Sequence, residues 1–122
     1  MEHSPNFLKL VTDSKTRVRE ISIEQAREQL KQNPAAVLID VREDNEWNAG
    51  HASKAEHLGK GIFERDLEKR FPDPQTELIL YCGGGFRSAL SADAAQKMGY
   101  KNVFSLDGGY KAMVKAGWPM QK

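Results

Sequence analysis

The stretch Cys82-Gly83-Gly84-Gly85-Phe86-Arg87-Ser88 decides how this chain is read. It holds the only cysteine, three of the ten glycines, and an arginine five positions after the cysteine. The residues before it, Glu77-Leu78-Ile79-Leu80-Tyr81, have the apolar continuity of a buried strand, and Ser88 to Met98 reads as a helix ending at Gly99. Consecutive glycines let the backbone turn several N–H groups onto one point. The first turn of the following helix adds unpaired N–H groups and the positive end of its dipole. Whatever is negative at the centre of such a turn is favoured, and here that is the thiolate of Cys82. A lone cysteine is ordinarily a small buried hydrophobe. Three glycines and Arg87 at this spacing point instead to a reactive one.

Outward from this turn, short apolar runs and amphipathic segments alternate. Ile21 starts an extended entry, and Ser22-Ile23-Glu24-Gln25 fits a capping box for a helix running to Gln32 before Asn33-Pro34. Ala35-Ala36-Val37-Leu38-Ile39 predicts a strand covered on both faces, ending at Asp40-Val41-Arg42-Glu43. A brief helix is predicted from Asp44 as cap through Glu46 and Trp47 to Gly50, then a weaker strand over His51 to Leu58. Phe63, Leu67 and Phe71 mark one face of a helix within Gly61 to Phe71, which Pro72-Asp73-Pro74 ends. Asn102 to Leu106 is the last strand, followed by Asp107-Gly108-Gly109 and a helix from Tyr110 to Ala116, closed by Gly117-Trp118-Pro119. The alternation predicts an α/β domain with a mainly parallel central sheet of about five strands flanked by helices. In such sheets ligands bind beyond the carboxyl ends of the strands. Asp40, Leu58, Cys82 and Asp107 are all expected on that rim.

Size and charge narrow the function. A chain of 122 residues is one domain, long enough to bury roughly two-thirds of its unfolded surface. A net charge of +1 gives no reason to expect nucleic acid or a membrane surface as partner. Met1-Glu2-His3-Ser4-Pro5 has neither the basic head nor the apolar core of a signal peptide. One cysteine cannot form an internal disulfide, so a reducing, cytoplasmic setting is the expectation. No set of His, Cys, Asp or Glu has the spacing of a zinc site, and no metal is expected. Residues 6 to 20 carry Phe7, Leu8, Leu10, Val11 and Val18 among many charges; a short helix over Pro5 to Thr12 would pack on the domain or pair two chains.

Three separated blocks together resemble a single-domain rhodanese, of the rhodanese-like sulfurtransferase family. They are Leu38-Ile39-Asp40-Val41-Arg42-Glu43 continuing through Glu46-Trp47 to Gly50-His51; Tyr81 to Ser88; and Leu106-Asp107-Gly108-Gly109 with Ala116-Gly117-Trp118-Pro119. The resemblance places a rhodanese-like domain at 21–122 and leaves 1–20 as an N-terminal extension. Ala52, Lys54 and Met113 depart from the family's usual aliphatic residue, glycine and tryptophan, which bears on the pocket rim more than on the fold. The family's active loop is C-x4-R, and Cys82 to Arg87 matches it. Phosphatases and arsenate reductases on the same fold use C-x5-R, whose longer ring surrounds a tetrahedral oxyanion, whereas the shorter one closes around a single sulfur.

The resemblance implies that the Cys82 thiolate takes a sulfane sulfur from a donor such as thiosulfate and carries it as a persulfide. A thiol, cyanide or a protein acceptor then removes it, with no organic cofactor. Gly83, Gly84, Gly85, Phe86, Arg87 and Ser88 are the substrate-binding loop. Arg87 either contributes charge to that loop or ties the helix start to Asp40. Asp40 and Arg42 are read as supports for the loop, Trp47 as core or pocket wall, and His51 as a hydrogen-bonded structural histidine. Phe86 is expected to be the more exposed loop residue, a candidate contact for substrate or a docking protein. Two alternatives stand beside the enzyme: a persulfide relay between proteins, and, against the loop length, a phosphatase or arsenate reductase.

Overall fold

The computed structural model of the chain describes residues 3–122. In chain order its elements are α1 (Pro5–Lys15), β1 (Arg19–Ile21), α2 (Ile23–Gln32), β2 (Val37–Asp40), α3 (Asp44–Ala49), β3 (His51–Ala52), β4 (Glu56–His57), α4 (Phe63–Arg70), β5 (Leu78–Tyr81), α5 (Phe86–Lys97), β6 (Val103–Leu106), α6 (Gly109–Lys115) and β7 (Met120–Gln121). Five strands form a parallel sheet in the order β1-β6-β5-β2-β4, with β5 at the centre. The α/β architecture expected from the alternation is the one observed. Among the described residues no helix is long and apolar enough to cross a membrane.

The sheet is apolar on both faces because its central strands are. Alternation sends Leu78, Leu80 and Cys82 to one side of β5 and Ile79 and Tyr81 to the other. The first side packs Ile39, Val41, Val103, Phe63 and Leu67 with Ala92 and Ala95 of α5. The second packs Leu38, Ile79, Leu106 and Met113 with Ile23 and Ala26 of α2. The predicted capping box starts α2: Gln25 donates its amide to Ser22 Oγ at 3.2 Å, and Ser22 donates its own to Gln25 Oε1 at 2.8 Å.

The segment from His51 to Leu58, expected as one weak strand, is two. Lys54 has φ +69, and a residue in the left-handed region cannot continue a strand. Upstream of it, β3 leaves the main sheet and pairs antiparallel with β7; downstream, β4 joins the edge of β2. The N-terminal segment also differs from expectation. Helix α1 runs through Lys15 and buries Val11 and Ser14, and Arg17 donates to both carboxylate oxygens of Asp93 on α5, at 3.0 and 2.8 Å. Of the two placements left open by its sequence, it packs on its own domain.

Candidate active site

Strand β5 ends by delivering Cys82 to the carboxyl rim of the sheet, and its side chain is only 1% exposed. The chain then turns through Gly83-Gly84-Gly85 into α5. Gly85 has φ +98, a conformation that side chains resist, and this turns its N–H back toward the sulfur. The amides of Gly85 and Ser88 donate to Cys82 Sγ at 3.2 and 3.3 Å. Ser88 Oγ makes a longer contact with Sγ at 3.6 Å, and it shares a 2.8 Å hydrogen bond with Ser105 Oγ. Both hydroxyls are fully buried. Sγ thus lies in a cradle of two main-chain N–H groups and one hydroxyl, at the positive end of α5.

A second element fixes the loop from below. The amide of Tyr110 donates to Cys82 O at 2.7 Å and that of Lys111 to Gly83 O at 3.1 Å. The start of α6 therefore grips the loop's carbonyls while the loop's own amides face the sulfur. The approach is close: a Cβ on Gly109 would lie 2.9 Å from both the carbonyl carbon and the oxygen of Gly83 and would overlap Cys82 O. The Asp107-Gly108-Gly109 turn is thus more than the helix start its sequence suggests.

The supporting residues divide into two groups. Asp40, fully buried, accepts from Arg42 Nε at 3.1 Å and from Nη2 at 2.8 Å, while Arg42 Nη2 also donates to Gly50 O at 2.7 Å. The guanidinium lies 4.0 Å from the Tyr110 ring centroid. Burial, the largest single influence, opposes the charge on Arg42, but the hydrogen bonds to Asp40 and the charges of Asp40 and Glu46 together outweigh it and hold the group above its ordinary value. Burial pushes the neighbouring Tyr81 hydroxyl up as well, and that hydroxyl accepts from the amide of Ala52 at 3.1 Å. This pair joins the end of β2 to the α3–β3 corner.

Arg87 is not tied to Asp40, so one of the two roles left open by its sequence is ruled out. Its Nη1 and Nη2 donate instead to Glu46 Oε1 and Oε2, at 2.7 and 3.0 Å. The reason is parity along the strands. Asp40 lies on the Leu38 face of β2, whereas Cys82 and Ser88 belong to the Ile39 face, and α3 brings Glu46 over the loop from above. The hydrogen bonds from Arg87 hold the Glu46 carboxyl below the usual carboxylate range, and those same bonds raise Arg87.

Trp47 forms the side of this corner, half-buried between two imidazoles. The His51 ring is stacked on it at 3.4 Å and the His57 ring at 4.9 Å. His51 Nδ1 is hydrogen-bonded to Trp47 O at 3.0 Å and His57 Nε2 to Arg42 O at 2.9 Å. Phe86 is less open than its sequence position suggests, because α1 and the segment before it cover it: the rings of His3 and Phe7 lie 4.5 and 6.4 Å from its own, and Lys15 Nζ is 5.1 Å from its centroid. Two clefts lie elsewhere, one of about 680 Å³ beside Arg27, Lys31 and Trp118 and one of about 480 Å³ beside Arg42, Asp44 and His57; Cys82 lines neither.

Sequence reasoning missed Glu46 as the partner of Arg87 and missed Ser105 altogether. A signal for Ser105 existed: it occupies an inward position of β6, in phase with Val103, where an apolar residue is the default.

Comparison with known proteins places this geometry. A profile of the Rhodanese-like domain family matches residues 22–116. The chain belongs to the rhodanese-like domain family. Among solved structures, the polysulfide-sulfur transferase homodimer of Wolinella succinogenes is similar over 95% of this chain and 87% of its own, with a TM-score of 0.81 and 27% identity. A human single-domain sulfurtransferase shares the rhodanese-like fold over 80% of this chain and 96% of its own, with a TM-score of 0.71 and 23% identity. A curated relative from Chlamydia caviae, named tRNA uridine(34) hydroxylase, is 34% identical over 110 residues, which is 85% of this chain and 33% of that protein. The chain thus spans about a third of the length of that rhodanese-like relative.

Proposed function

We propose that this rhodanese-like chain is a sulfurtransferase that carries a sulfane sulfur as a persulfide on Cys82. The observation that carries the reading is the pair of N–H groups, from Gly85 and Ser88, aimed at Cys82 Sγ from 3.2 and 3.3 Å. Donors fixed in this way favour a thiolate before attack and the anionic persulfide after it, with little rearrangement between the two. The thiolate attacks the outer sulfur of the donor, the donor's S–S bond breaks, and the remainder leaves with the electron pair. With thiosulfate the remainder is sulfite. An external thiol, cyanide or acceptor protein then takes the outer sulfur and regenerates Cys82, since the sequence has no second cysteine to resolve it.

A phosphatase reading is weaker. That chemistry calls on an arginine fork to hold an oxyanion, and both arms of Arg87 are engaged by Glu46. The activity named for the longer relatives belongs to proteins of which this chain matches a third, and sulfur transfer is the reading that this site's own geometry supports.

The kinetic test is steady-state sulfur transfer from thiosulfate to cyanide with both concentrations varied. The expected result is a family of parallel double-reciprocal lines, the signature of a covalent enzyme intermediate, and loss of turnover in Cys82→Ser. Intersecting lines, or turnover retained by Cys82→Ser, would refute the persulfide route.

A further inference from the structure

The cleft of about 680 Å³ beside α2 lies at the opposite end of the sheet from Cys82. It borders the start of β2, whereas Cys82 follows the end of the parallel strand β5. We propose that this cleft is a docking site for an extended, acidic peptide segment of a partner protein, which adds a short strand to the open edge of β2.

The edge is open for a local reason. β4 pairs only with Ile39 and Asp40, so Val37 and Leu38 have β5 on one side and no strand on the other. Val37 donates its amide to Glu77 O at 2.9 Å, toward β5, and Asp40 O accepts from the amide of Leu58 at 3.0 Å on the β4 side. Alternation therefore turns the Ala36 carbonyl and the Leu38 N–H outward, and both residues line the cleft. One residue of an added strand can bond to both groups, and a bare sheet edge is a template for such pairing. β4 cannot extend to fill the gap, because Lys54, at φ +69, bends the chain between β3 and β4. Ser53 holds that corner by donating its amide to Pro119 O at 2.9 Å.

Charge selects the occupant. Arg27 and Lys31 stand one turn apart on α2, Lys54 adds a third cation from the corner, and all three are exposed. Among the described residues none of the three forms an ion pair. Arg27 donates instead to Ala116 O at 2.9 Å and lies 5.5 Å from the centroid of the Trp118 ring. Glu56 is the one acid among the described residues that line the cleft, and Arg70 engages it at 2.7 Å. The cations thus surround an apolar lining that includes Leu30, Val37 and Trp118. A segment in which acidic and aliphatic side chains alternate complements both features, since successive residues of a strand face opposite ways.

The experiment titrates a fluorescein-labelled hexapeptide of alternating glutamate and valine with the native chain and reads its anisotropy. Two control peptides carry lysine in place of glutamate, or N-methyl groups on every amide. The expected result is saturable binding of the glutamate peptide that weakens as ionic strength rises, and no binding of either control. Lys31→Gln and Lys54→Gly should each weaken it about threefold, and the two together about tenfold. Glycine suits the left-handed corner, so Lys54→Gly removes the charge without straining the fold. On the native chain alone, bound peptide should slow hydrogen exchange of the Leu38 amide about tenfold. It should also leave the rate of persulfide loading on Cys82 unchanged. No saturable binding, equal binding of the lysine peptide, or unchanged exchange at Leu38 would overturn the proposal. Equal binding of the N-methylated peptide would also overturn it, because the cleft would then read a carboxylate on an apolar body rather than a strand. Blocked loading of Cys82 would place the peptide on the active loop and overturn it as well.

Discussion

Asp40→Ala is expected to lower the stability of the fold by about 3–5 kcal/mol and to reduce sulfur-transfer activity with it. Asp40 is fully buried and Arg42 is 5% exposed, so removing the carboxylate strands a guanidinium away from water. What remains to Arg42 is the 2.7 Å hydrogen bond to Gly50 O and the face of Tyr110 at 4.0 Å, neither of which neutralises it. The loss should reach the loop through Tyr110, whose ring lies on Arg42 and whose amide holds Cys82 O at 2.7 Å. Urea unfolding of the native chain, Asp40→Ala and the double variant Asp40→Ala/Arg42→Leu would measure the effect. The double variant is expected to recover part of the loss, because it removes the stranded charge. A single-variant loss under about 1 kcal/mol, or unchanged stability with lost activity, would contradict this supporting role.

Gly109→Ala is expected to be nearly as damaging, and for a different reason. Gly109 has φ +55, which alone costs a residue with a side chain roughly 1–2 kcal/mol. The new methyl would also be driven into backbone, overlapping Cys82 O and standing 2.9 Å from Gly83 O, where no side-chain rotation can relieve it. The loop must shift, and the Gly85 and Ser88 amides lose their aim on Sγ. Gly117→Ala is the natural control: φ is +76, but nothing lies within 4 Å of the added atom. Thermal melts and persulfide loading rates compare the two. Gly117→Ala should lose a little stability and load normally, while Gly109→Ala should lose more of both. Equal effects would show that the start of α6 does not hold the loop.

What the sequence made legible follows from how local each cause is. The parallel sheet could be read because each central strand is an unbroken apolar run between breakers, as in Leu78–Tyr81 before the glycines. The capping box at Ser22 and the glycine turn after Cys82 are determined within a few residues, and both appear where the pattern puts them. The partner of Arg87 was not local. Glu46 lies 41 residues away and reaches the loop only because α3 folds over the rim. The parity argument that rules out Asp40 was available, since alternation already places Leu38 and Asp40 together on one face and Ile39 on the other. Likewise, the covering of Phe86 by His3 and Phe7 depends on α1 docking against α5, which the mixture of charged and apolar residues in α1 does not announce. The split of His51 to Leu58 into β3 and β4 turned on Lys54 adopting a left-handed conformation, a choice the sequence gives no reason to expect of lysine.

The most direct test of the account is intact-mass measurement after incubation with an excess of sulfane donor and removal of the excess. The native chain should gain one sulfur atom and lose it when a thiol or cyanide is added, and Cys82→Ser should gain none. If Cys82→Ser took up the same sulfur, or the native chain took up none, Cys82 would not be the carrier and the account would be wrong.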